Sequence, residues 1–85
     1  MPKFRKKPVV IEAFQTGSSD APDWALDALN KGTMYYDAQD GLLRVRTPEG
    51  EHLAYPGDWI IKGVKGELYP CKPDIFAATY EPAKD

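Results

Sequence analysis

The sequence predicts an α+β domain: a small antiparallel sheet of five to six strands in a meander, with one helix at about residues 21–31 packed on one face and a short helical turn near 73–77. Three observations predict it. A single segment places its apolar residues on one face at helical spacing. The runs after it alternate with period two or are rich in β-branched and aromatic residues. Turns containing Gly or Pro interrupt these runs at short intervals.

Taken in order, Lys7–Phe14 (KPVVIEAF) reads as a strand, with Pro8 at its start or on an edge, where a missing N–H does no harm. Thr16-Gly17-Ser18-Ser19 is a loop. Asp20 is the expected N-cap of the helix, Pro22 fits its first turn, and Asp23 suits the positive end of the dipole. At about 100° per residue, Trp24, Ala25, Leu26, Ala28 and Leu29 share a broad face opposite Asp23, Asp27, Asn30 and Lys31. Gly32 follows as the C′ residue.

The period then changes to two. Thr33–Asp37 is separated by Asp40-Gly41, a hairpin signal, from Leu42–Thr47, where Leu43, Val45 and Thr47 alternate with Leu42, Arg44 and Arg46. Pro48-Glu49-Gly50 turns the chain into Glu51–Tyr55, and Pro56-Gly57 turns it again. Asp58–Lys62 and Glu67–Tyr69 are strands around the turn Gly63–Gly66. Pro73 opens a helical turn to Ala77, Thr79–Glu81 reads as a last strand, and 82–85 as tail.

The 85 residues make one small domain, which buries roughly 60–65% of the surface that its unfolded chain exposes. With one cysteine, Cys71, no disulfide can form within the chain, and with one histidine, His52, no zinc site is expected. The shortfall therefore falls to self-association, as a homo-oligomer, or to an economical β-core. No N-terminal apolar run is long enough for a signal peptide or a membrane span, and a lone thiol suits a reducing cytosol. The net charge of −2 is unevenly spread. Residues 1–10 carry Lys3, Arg5, Lys6 and Lys7 against no acid, whereas 11–60 carry three cations against nine acids, a local charge of −6. A basic arm beside an acidic body argues against a nucleic-acid surface, which needs a contiguous basic face.

Chemistry finds little footing. His52 lacks a nucleophile in an activating context and reads as a solvated strand histidine. Cys71 reads as a packed thiol, the alternative being a reactive or intermolecular one whose pKa Lys72 and the following helical turn would lower. The acids Asp20, Asp23, Asp27, Asp37 and Asp40 match no calcium-loop spacing. Gly57, Gly63 and Gly66 sit in no strand–loop–helix arrangement and read as turn glycines, not a phosphate cradle. No catalytic residue, metal or cofactor is expected.

Aromatics are the surplus, at 12% of the chain. Tyr35 and Tyr36 are adjacent on a strand and point to opposite faces, so one of them lies away from the helix. An exposed tyrosine beside Arg44, Arg46 or Lys62 suits a protein interface, or base stacking with a cation for phosphate. The candidate binding residues are Tyr35, Tyr36, Arg44, Asp58, Trp59, Lys62, Lys65 and Tyr69.

Two stretches, Lys3–Ala13 (KFRKKPVVIEA) and Gly57–Glu81 with its GDWIIKGVKGE and YPCKPDIF motifs, resemble a family of small proteins encoded by tailed bacteriophages and prophages. The resemblance covers about half of the chain and implies a phage gene expressed in the host bacterial cytoplasm, without implying a reaction or a site. Tyr69-Pro70 with Asp74-Ile75-Phe76-Ala77 is also similar to a pattern in phage proteins that sequester cyclic nucleotide signals of host defence. The expected function is thus that of a non-enzymatic phage accessory protein that binds and inhibits a host defence or regulatory protein. The alternatives are an oligomeric sponge for a cyclic nucleotide and a minor virion or assembly component.

Overall fold

Six strands are present among the described residues, but they form two antiparallel three-stranded sheets where one meander was expected. A computed structural model describes residues 2–4 and 9–83; Lys7 and Pro8, the expected start of the first strand, lie outside the described residues. The element order is β1 (Glu12–Gln15), α1 (Asp23–Lys31), β2 (Met34–Tyr36), β3 (Leu43–Thr47), β4 (Gly50–Ala54), β5 (Trp59–Lys62), β6 (Leu68–Cys71) and α2 (Pro73–Thr79).

The middle of the chain follows the local signals. β2, β3 and β4 make a sheet in that order, with Tyr35 opposite Arg44 and Arg46 opposite Glu51. The meander breaks after β4, where β5 leaves this sheet and pairs instead with β1 and β6, in the order β1-β5-β6. Phe14 lies opposite Ile60, and Ile60 opposite Pro70. Backbone and side-chain bonds at the β4–β5 turn hold the chain at the break. Thr16 N–H donates to the Asp58 carbonyl at 2.9 Å, which delivers the start of β5 to the end of β1.

Both sheets and α1 contribute to one core: Ala25 and Ala28 from α1, Met34, Leu43, Val45 and Ala54 from β2–β4, and Ile60 and Leu68 from β5–β6. Three of these eight are alanines, so the few large side chains carry most of the burial. The central strand β5 buries Ile60 in this core and Ile61 on its opposite face, as a strand covered on both sides must.

At its N-terminal end α1 departs from expectation. Its N-cap residue is Pro22, with no side-chain cap bond, while Asp20 is drawn into a loop by a bond from its N–H to Ser18 Oγ. Pro22 already supplies the extended backbone and fixed φ from which a helix starts. Gly32 ends it at φ 80° with its N–H on the Leu29 carbonyl. Leu26, expected on the buried face, is half exposed, because the buried stripe is centred on Ala25 and Ala28. The expected last strand is absent among the described residues: Thr79 ends α2, and Tyr80 N–H donates to the Phe76 carbonyl.

Burial sets the expected stabilities. Ile60→Ala removes a fully buried side chain and should cost about 2–5 kcal/mol. Ile75→Ala, the same chemical change at a half-exposed position of α2, should stay within about 0.5 kcal/mol. Urea unfolding followed by circular dichroism checks both; equal losses would contradict the core assignment.

Candidate functional site

The eight sequence-selected residues do not converge. Tyr35, Tyr36 and Arg44 lie on the β2–β3–β4 sheet, Asp58, Trp59, Lys62 and Tyr69 on or beside the other, and Lys65 in the β5–β6 turn. Tyr36 is exposed at the end of β2, and Lys65 is exposed with no partner among the described residues. Tyr69 is half-buried, and its phenol is pushed up first by burial and then by Glu49 and Glu67.

On the first sheet Arg44 is a hub rather than an open cation. Alternation along β3 sends it to the face opposite Leu43 and Val45. There its Nη2 donates to Asp40 at 2.9 Å, with Asp37 at 3.6 Å, while its Nε lies 4.0 Å from Glu51. The guanidinium's pKa is raised, chiefly by the Asp40 hydrogen bond. Its Nη1 is buried with no acceptor among the described residues. Tyr35 donates its hydroxyl to Glu51 at 2.8 Å, the main reason that its phenol is raised, and Arg46 lies over its ring at 5.6 Å. A ring whose hydroxyl and one face are occupied is a poor stacking platform for a base.

Asp58 is structural. Only 4% exposed, it accepts Tyr55 N–H at 2.9 Å and Lys72 Nζ at 3.0 Å on one carboxylate oxygen. Its carbonyl accepts the Thr16 hydroxyl at 2.9 Å, which also lies 3.0 Å from the Tyr55 carbonyl. Lys72 sits 4.5 Å from the centre of the Tyr55 ring. That places its charge toward Asp58 and away from Cys71, whose half-buried thiol is raised by burial and by Asp58 and Asp74, the reverse of the activated alternative. His52 is an exposed strand residue opposite Val45.

Trp59 joins an aromatic column that sequence reading missed. Its ring stacks on Phe76 at 4.1 Å and 4°, and Phe76 meets Tyr80 at 5.1 Å. The Phe76–Tyr80 spacing of four residues is a helix-turn signal, but the Trp59 contact depends on tertiary placement. Trp59 lies on the face of β5 opposite Ile60, so α2 covers the sheet's outer side. The cover is partial. Between α2 and the extended residues before β1 runs an open groove of about 1410 Å³, lined by Val9, Val10, Ile11, Val64, Phe76 and Tyr80 among others. Val10 is 78% exposed there and Val64 72%.

No protein-family model matches the chain, and neither a curated protein nor a solved structure matches it significantly. Among the described residues no helix is long and apolar enough to cross a membrane.

Two outcomes follow. Asp58→Ala should cost about 2–3 kcal/mol, because Tyr55 N–H and Lys72 both lose their acceptor; Asp58→Asn, which keeps an oxygen for Tyr55, should cost less. Thermal unfolding of the two variants ranks them. The second outcome concerns acid. Asp40 is held below its ordinary value of 3.8, first by the Arg44 hydrogen bond and then by Leu42 N–H. A depressed carboxylate stabilises the fold fully above its unfolded pKa and loses that contribution as pH falls through the lower folded value. Arg44→Met should therefore flatten the stability loss between about pH 5 and pH 2; an unchanged acid limb would rule out this coupling.

Proposed function

We propose that this protein acts by binding a partner protein through the groove beside Trp59, Phe76 and Tyr80, and that the partner is a host bacterial defence or regulatory protein met in the cytoplasm. The open apolar groove carries the reading. At about 1410 Å³ it exceeds the roughly 300–1,000 Å³ of small-molecule pockets. Its lining is aliphatic and aromatic, with Glu81 the one charged side chain among the described lining residues. That composition suits an apolar segment of a protein anchored by aromatics, in the manner of interface centres. Side chains as exposed as Val10 and Val64 contribute little to the fold, and contiguous exposed apolar surface marks interaction sites. The bacterial host is supported by the KFRKKPVVIEA and GDWIIKGVKGE resemblance to phage proteins.

The test is recovery of a partner from bacterial lysate with tagged protein. The wild type should retain one stoichiometric protein, Val10→Asp should lose it, and Leu26→Asp, on the exposed side of α1, should keep it. Equal recovery by both variants, or no stoichiometric partner, would sink the reading.

A further inference from the structure

A second concavity lies away from the groove, between α1 and the β5–β6 end of the other sheet, and has a different chemistry. It is a cleft of about 200 Å³. Trp24, Asp27, Ala28 and Lys31, spaced as one stripe of α1, form one side, and Thr33, Lys62 and Leu68 the other. Its floor is apolar, since Ala28 and Leu68 belong to the core. Trp24 forms a wall, fixed by its edge contact with Phe14 at 5.4 Å, and Lys62 lies 5.9 Å from the centre of its ring.

The lining carries two ammonium groups against one carboxylate. Lys31 is paired with Asp27 at 2.9 Å and Lys62 with Glu12 at 3.6 Å, and both acids are 60% exposed or more. Such exposed pairs are weak and exchange readily for a better anion. The cleft is too small for the 300–1,000 Å³ of drug-sized ligands. We propose that it binds a small phosphate monoester, with Lys31 and Lys62 displaced from their acids onto the phosphate oxygens, the Thr33 hydroxyl donating a third bond, and a compact apolar substituent resting on Trp24 and Leu68. Two point-charge ammonium groups suit a dianionic oxyanion, which each can approach from its own side.

Amide and indole NMR shifts of the wild-type protein, titrated with inorganic phosphate and with phenyl phosphate against chloride at matched ionic strength, test this. Both phosphates should give saturable shifts at Trp24, Lys31 and Thr33, with phenyl phosphate the tighter. Lys31→Gln and Lys62→Gln should each weaken binding about three- to tenfold. Lys3→Gln, an exposed lysine outside the cleft, should leave binding unchanged, and Asp27→Asn should tighten it by freeing Lys31. Shifts that do not saturate, a loss in Lys3→Gln equal to that in Lys62→Gln, or no gain in Asp27→Asn would overturn the site. Equal affinity for the two phosphates would overturn the monoester assignment.

Discussion

One buried residue, Asp58, joins the parts of this fold that sequence proximity does not. Its carbonyl takes both donors of Thr16, at the end of β1, and its carboxylate takes Tyr55 N–H from the β4–β5 turn and Lys72 from the entry to α2. Three separate stretches of chain, the end of β1, the β4–β5 turn and the entry to α2, thus meet at one amino acid. A carboxylate so deeply buried is tolerated because an N–H and an ammonium satisfy it. The junction holds the start of β5 against the end of β1, at the point where the chain leaves one sheet for the other. It also fixes where α2 begins, and hence where Phe76 meets Trp59.

The two-sheet arrangement has an energetic consequence. With alanine at three of the eight core positions, the shared core is thin. Ile61 and Trp59 add burial on the outer side of β5, where α2 supplies Phe76 as cover. The helix is only seven residues long and buries none of its own residues completely, so it roofs part of that face and leaves the rest open. The exposed valines at positions 9, 10 and 64 border the uncovered part. The groove is thus what remains when a short helix meets a sheet face longer than itself.

What was legible in the sequence was what is local. The Asp40-Gly41 turn, the alternation of Leu43, Arg44 and Val45, the α1 segment and the glycine that ends it all stand where their chemistry places them. Pairing of Phe14 with Ile60 was not legible, because period-two runs state which face a residue takes and not which strand lies beside it. Asp58 read as a free polar residue of a glycine-rich stretch for the same reason: its partners Thr16 and Lys72 are 42 and 14 positions away. Tyr35 and Arg44 do lie opposite each other, but the acids that occupy Arg44 come from a turn and a neighbouring strand. A candidate list built on residue type selected the cations and could not tell which were already engaged.

That distinction separates ligand-competent charge from structural charge here. Arg44 has its side chain only 18% exposed amid three acids, so an incoming anion would have to enter a negative surround and break a charge-assisted hydrogen bond. Lys72 neutralises a carboxylate whose side chain is 6% exposed, and withdrawing it would leave Asp58 charged and buried. Lys31 and Lys62 face partners that water solvates just as well, so both can be given up at little cost. The cost of vacating a cation is set by the burial of the acid left behind, and on that measure the cleft beside Trp24 is better suited to an anion than the Arg44 face.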